Sequence, residues 1–167
     1  YIPIQFHLVA KDDGTGLIAL KNVYDVMCRV NQDYLDQNIQ FYLYNDFNYI
    51  NNSLLYDNND RTIASFLMNI HRVEGAVNVF IGNFIDNGGS FGTTLGYYTS
   101  FPDVIYCIRG TINSTSRTLT HELGHFFTLA HPFFGWDGTN YEDYVDAIPT
   151  LVGRSPSDIN GTLVEQV

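Results

Sequence analysis

Basic residues are scarce in this chain. Eight Lys+Arg stand against eighteen Asp+Glu in 167 residues, a formal net charge of −10. A surface charged in this way repels phosphate backbones and anionic lipid, which argues against nucleic acid and membranes as partners. No stretch is long and apolar enough to read as a transmembrane helix, so no membrane insertion is expected. Cysteine is limited to Cys28 and Cys107. Each lies among apolar residues of a predicted element, so the two read as buried free thiols rather than a disulfide, and the compartment stays open. No leader segment is recognisable, and the chain starts at Tyr1 without a methionine, which predicts a processed or trimmed N-terminus. Charged residues make up only 16%. With abundant Asn, Tyr and Phe, that composition predicts an exported protein, extracellular, secreted or periplasmic. The glycine-rich stretch over 86–96 lacks the Lys-Ser/Thr ending of a phosphate loop, which excludes nucleotide binding by that device. Neither an internal repeat nor an interdomain linker is present, so residues 1–167 read as one domain able to bury a sizeable core.

What is present is a regular succession of apolar patterns. Ile2–Ala10 reads as a strand with Ile4, Phe6 and Leu8 on one face. Lys11–Gly16 is a turn. Leu17 to about Asp36 reads as an amphipathic helix with Leu20, Val23, Met27, Val30 and Tyr34 inward. Ile39–Tyr44 is a second strand, and the Asn-rich stretch 45–60 reads mostly as loop. Arg61–His71 is a helix with Ile63, Phe66, Leu67 and Ile70 inward. Ala76–Ile85 is a buried strand, Leu95–Thr99 an edge strand, and Val104–Arg109 a central one. The order predicts an α/β (α+β) sandwich, a twisted mixed sheet packed against a backing helix and a further helix within residues 115–132.

That further helix carries the chemistry. In Thr118-Leu119-Thr120-His121-Glu122-Leu123-Gly124-His125 two histidines are four residues apart and so share one helix face. Leu119, Leu123, Phe126 and Ala130 form an apolar stripe on the opposite side. Capping candidates lie at Asn113–Ser116. The pattern His121-Glu122-x-x-His125 is a zinc-hydrolase signal: two imidazoles bind the metal and Glu122 is placed as general base, then acid. A catalytic zinc needs a third protein ligand. His131 is the candidate if the chain turns sharply near 128–130. On a continued helix it would sit about nine ångströms further along the axis, by the 1.5 Å rise per residue, and face elsewhere. Pro132 supports a break. Glu142 is the alternative third ligand. Glu142, Asp143 and Asp146 otherwise read as a solvated acidic segment, with Ca2+ binding as the lesser reading.

The full pattern His121-Glu122-x-x-His125-x-x-Thr128-x-x-His131 resembles the long zinc motif of the metzincin metalloproteases. Within them the chain most resembles the pappalysin group, through Ile2-Pro3-Ile4-Gln5-Phe6-His7, Gly96-Tyr97-Tyr98-Thr99-Ser100-Phe101-Pro102, the helix 118–125, and Asp143-Tyr144-Val145-Asp146-x-x-Pro149. The resemblance spans about residues 2–150. It implies a zincin-like upper subdomain, a Zn2+ cofactor held by His121, His125 and His131, and Glu122 as catalytic residue. It also implies a peptide or protein substrate paired along Leu95, Gly96, Tyr97 and Tyr98. Two departures go with it. The family's residue at Thr128 is usually glycine, because the chain reverses there with positive φ. A β-branched residue there predicts strain, a different turn, or a displaced His131. The family's methionine turn has no counterpart, since Met27 and Met68 both precede the helix. The lower subdomain is therefore expected to be largely absent after about residue 132, and a catalytically incompetent protein- or glycan-binding module is the alternative to an endopeptidase.

Other features have plainer readings. His7 in a strand and His71 at a helix end read as structural or surface groups. Phe126, Phe127, Phe133, Phe134 and Trp136 read mostly as core or pocket wall. Asn51, Asn113 and Asn160 are sequons.

Overall fold

The computed structural model describes residues 1–86, 88 and 93–131. The chain divides into two units, Tyr1–Phe126 and Phe127–Val167. The first unit contains β1 (Ile2–Ala10), α1 (Leu20–Asp33), β2 (Phe41–Leu43), β3 (Asn48–Asn51), α2 (Ser53–Tyr56), β4 (Asp57–Asn58), α3 (Arg61–His71), β5 (Val77–Gly82), β6 (Phe84–Ile85), β7 (Gly96–Thr99), β8 (Val104–Ile108) and α4 (Thr118–Phe126).

The main sheet runs β2-β1-β5-β8-β7, with β3 also on β1. Every pairing in it is parallel except β7 on β8. This is a twisted, mostly parallel α/β sheet with helices, as the sequence pattern predicts. Strands of such a sheet are covered on both faces, so they lose the alternation of a half-exposed strand. Accordingly β5 is buried at all six positions. In β1 the expected face Ile4, Phe6 and Leu8 is fully buried, and so is the opposite face at Gln5, His7 and Val9.

Several expectations need correction. The first helix is shorter than 17–36, because a short 3-10 turn, Leu35–Gln37, follows it and Asn38 closes that turn in the left-handed region at φ 55°. Its buried residues are Val23, Val26 and Val30, while Leu20 is exposed. Cys28 is exposed, not buried; Cys107 is buried, and both are free thiols. The Asn-rich stretch 45–60 is not mostly loop. It holds β3, α2 and β4, because its asparagines have structural roles: Asn52 Oδ1 accepts from the Leu55 N–H to cap α2, and Asn58 is fully buried. The strand expected over 76–85 is two, β5 and β6, broken at Asn83.

Helix α3 has the expected bounds but a different inward face. Ala64 and Met68 are buried, whereas Ile63, Phe66 and Ile70 are 45%, 66% and 60% exposed. The core on this side is built from Val9, Ile50, Leu55, Tyr56, Phe80, Ile85, Val104 and Tyr106. A small residue and a flexible one at the contact let α3 seat against it.

His7 ties this face together. Its Nε2 lies 3.0 Å from Asn78 Oδ1 and its Nδ1 2.9 Å from Asn48 Nδ2. The amide donors and acceptors on either side fit one neutral tautomer, protonated at Nε2. The ring stacks on Phe80 at 4.0 Å, so one buried imidazole links β3, β1 and β5. Burial lowers its pKa to about 4, against a partial offset from Asn78, with His71 adding to the lowering.

Candidate active site

The site begins with the start of α4. The Ser116 hydroxyl accepts from the Thr118 N–H at 3.2 Å, and the His121 N–H closes on the Arg117 carbonyl at 2.9 Å. Leu119 and Leu123 are fully buried, as the expected stripe requires. The helix ends at Phe126, so Ala130 is not part of that stripe and is exposed. A tether from α1 fixes the rotation of α4. Asp33 accepts from the Thr120 hydroxyl at 2.8 Å and pairs with Arg29 at 2.8 Å and Arg117 at 3.4 Å. Tyr34 Oη donates to the Thr120 carbonyl at 3.0 Å. The residue immediately before His121 is thereby held through both side chain and main chain.

On this helix the two imidazoles converge. His121 Nε2 and His125 Nε2 are 3.0 Å apart, with the rings nearly perpendicular. Beyond the helix, Thr128 has φ 69°, the left-handed conformation that glycine would adopt without strain. One potential ligand nitrogen from each of His121, His125 and His131 lies within 4.8 Å of the other two. Among the described residues these form the group able to hold a metal ion. The alternative ligand Glu142, the calcium reading at Glu142, Asp143 and Asp146, and the sequon at Asn160 lie outside the described residues. Phe133, Phe134 and Trp136 do as well.

Glu122 projects toward the sheet edge and is buried. Burial raises its pKa; the His125 ring, a hydrogen bond from the Tyr98 backbone N–H, and Arg61 each oppose that rise. The close approach of β7 to α4 depends on Gly96. A Cβ there would lie 2.9 Å from Thr118 Cγ2 and 3.2 Å from both Cys107 Sγ and Glu122 Cγ. The Cys107 thiol is pushed well up by burial, with Glu122 adding to it.

The four residues expected along the edge strand do not share one role. Gly96 and Tyr98 belong to the α4 face, where the Tyr98 ring meets Phe126 edge-on at 6.0 Å. Tyr97 turns to the opposite face. Its ring stacks on Tyr106 at 5.8 Å, its hydroxyl accepts from Asn58 Nδ2 at 2.9 Å, and Arg61 lies 4.7 Å from its centroid. Leu95 precedes the strand and is 45% exposed. Sequence reasoning missed Asp33, Asn58, Arg61 and Cys107 as neighbours of the site. The glycine at position 96, opposite Cys107 in the ladder, was the one usable signal of a close approach.

Fold and site together define a mixed α/β domain with a paired-histidine, buried-glutamate helix beside a sheet edge, an arrangement suited to metal-assisted hydrolysis. The chain is 30% identical over 150 residues to a protein of Colletotrichum graminicola named extracellular metalloprotease. The match covers 80% of this chain and 52% of that relative, so the chain spans about half the relative's length. No protein-family model matches the chain. The likeness supports kinship with a metalloprotease. Among the described residues, no helix is long and apolar enough to cross a membrane.

Proposed function

We propose that this chain is a zinc endopeptidase domain of metzincin class and pappalysin type, acting outside the cell on peptide or protein substrates. The observation that carries this reading is the meeting of three imidazole nitrogens within 4.8 Å, on and just beyond the helix that bears buried Glu122. A three-histidine donor set suits a catalytic zinc, since it leaves a coordination position open. His121, His125 and His131 would hold the ion. Zinc, when bound, supplies Lewis-acid polarisation of the scissile carbonyl and acidification of the attacking water.

The remaining work falls to the chain's own residues. Glu122 takes the proton of the attacking water and delivers it to the leaving amine. A carboxyl whose pKa is raised by burial is better matched to a group that must both accept and return a proton near neutral pH. The edge strand β7 receives the substrate as an added strand, its main chain supplying the pairing groups. The relative's name supports a location outside the cell.

The test is a parallel measurement of zinc content and peptide digestion. Glu122→Ala should keep about one zinc per chain and lose at least ~100-fold in hydrolysis, the usual worth of a general base. Hydrolysis that survives the substitution refutes the assigned base. A native chain that binds zinc and cleaves no peptide in a broad library is a binding module instead.

A further inference from the structure

We propose that Arg61 makes this site selective for peptides bearing an acidic side chain at the position that pairs opposite Tyr97. The proposal rests on the peptidase reading only for the placement of a peptide along β7. The ladder sets the geometry. The Ile108 N–H donates to the Leu95 carbonyl at 3.0 Å. Hydrogen-bonded and non-hydrogen-bonded pairs alternate along antiparallel strands. Leu95, Tyr97 and Thr99 therefore turn their main-chain groups toward β8, and Gly96 and Tyr98 turn theirs toward the open edge. The hydrogen bond from the Tyr98 N–H to Glu122 agrees with that assignment. With the Tyr98 N–H held by Glu122, a peptide added at this edge pairs its main chain with Gly96 and the Tyr98 carbonyl. Its residue opposite Tyr97 then projects to the face that Tyr97 occupies, because paired residues of neighbouring strands share a face.

That face is where Arg61 lies. Tyr106, from β8, stacks on the Tyr97 ring, which leaves the guanidinium the side of the ring turned to the edge, 4.7 Å from the centroid. Arg61 is exposed and forms no ion pair among the described residues. The neighbouring Asp60 is committed to capping α3, accepting from the N–H groups of Thr62 and Ile63. A guanidinium laid over a ring keeps its in-plane N–H groups for a carboxylate, which it grips with two parallel hydrogen bonds. Paired residues of adjacent strands have Cβ atoms about 4.5–5.5 Å apart, so an Asp or Glu opposite Tyr97 is within reach. The net charge of −10 makes the rest of the surface unfavourable to such a peptide, so acceptance depends on the Arg61 cation.

The experiment uses the zinc-loaded chain and peptide pairs in which a single Glu or Gln is walked through a cleavable sequence. One position should favour Glu over Gln by about five- to tenfold in kcat/KM, the size of a partly exposed charge-assisted contact. The preference should shrink as ionic strength rises. In Arg61→Gln the Glu/Gln ratio should fall to near one, and in Arg61→Lys it should be partly restored. Absence of any position with a Glu preference, or a preference that persists in Arg61→Gln, overturns the assignment. Should the wild-type chain cleave none of the peptides, the same pairs are titrated by fluorescence anisotropy against Glu122→Ala with and without Arg61→Gln. A Glu preference in binding that Arg61→Gln removes upholds the acidic subsite while the peptidase reading fails. Equal binding of both peptides, or binding of neither, overturns the subsite.

Discussion

Replacing Gly96 with alanine tests how tightly the edge strand is fitted to the histidine helix. The new methyl would stand 2.9 Å from Thr118 Cγ2 and 3.2 Å from Cys107 Sγ and Glu122 Cγ. Ordinary carbon contacts begin near 3.5 Å, so the deficit is about 0.6 Å at Thr118 and about 0.3 Å at the other two. None of the three is the end of a long flexible chain. Thr118 is β-branched and its hydroxyl is bonded to Ser116; Cys107 is set by β8; Glu122 Cγ lies mid-chain. Relief requires α4 to move away from β7. Overpacking of this kind costs ~1–3 kcal/mol. Alanine returns roughly 0.5–1 kcal/mol through the entropy of the unfolded chain. A net loss of ~1–2 kcal/mol in urea unfolding is expected. Glu122 shifts with the helix, and a displacement of a few tenths of an ångström should lower kcat/KM about tenfold, since ~1 Å can cost 10²-fold. Zinc content should not change, because His121 and His125 move together. Thr118→Ser removes the closest clashing atom. In the double variant it should recover about half the lost stability, a coupling of ~0.5–1 kcal/mol. A Gly96→Ala chain with native stability and native turnover would refute the close fit of β7 to α4.

Two further predictions concern His7 and Thr128. His7 has a folded pKa of about 4 against about 6.5 when unfolded, so its contribution is complete above pH 6.5 and is lost as pH falls toward 4. The slope is one proton, ~1.4 kcal/mol per pH unit, or about 2 kcal/mol between pH 6.5 and 5, where few carboxylates yet titrate. Urea midpoints at those two pH values should show this loss in the native chain, and His7→Gln should flatten it. A native chain with equal stability at both would contradict the neutral buried imidazole. Thr128→Gly removes left-handed strain of roughly 1–2 kcal/mol at an entropic cost of ~0.5–1 kcal/mol. It should retain zinc and gain up to ~1 kcal/mol, whereas Thr128→Pro, whose φ is fixed near −65°, should weaken zinc at least tenfold. Equal zinc affinity in the proline variant would show that His131 is not brought to the metal by this turn.

Strand and helix positions were readable where the pattern is local. Residues 2–10, 61–71, 96–99 and 104–108 carry periodicities that the backbone alone imposes. Faces were less readable. Ile63, Phe66 and Ile70 make the more hydrophobic side of α3, yet the core takes Ala64 and Met68, because seating a helix depends on the shape of the surface beneath it. Asn52 and Asn58 look like loop residues in isolation, since asparagine favours turns. One became a cap and the other a buried donor to Tyr97. Arg61 had no signal at all: its place over Tyr97 joins residues thirty-six apart in sequence (97 minus 61).

The amino-acid order by itself determines that His121 and His125 share one helix face with Glu122 beside them, since a four-residue spacing on an α-helix leaves no other outcome. It also determines the buried stripe of Leu119 and Leu123 behind them. Only the tertiary structure decided the rest. It held Thr128 at φ 69°, a conformation that a β-branched residue does not favour locally. It buried Glu122 against Gly96 and placed the Arg61 guanidinium over the Tyr97 ring. Helical spacing is a property of neighbouring peptide units. Strain, burial and charge placement are properties of contacts between residues far apart in the chain, which no local pattern encodes.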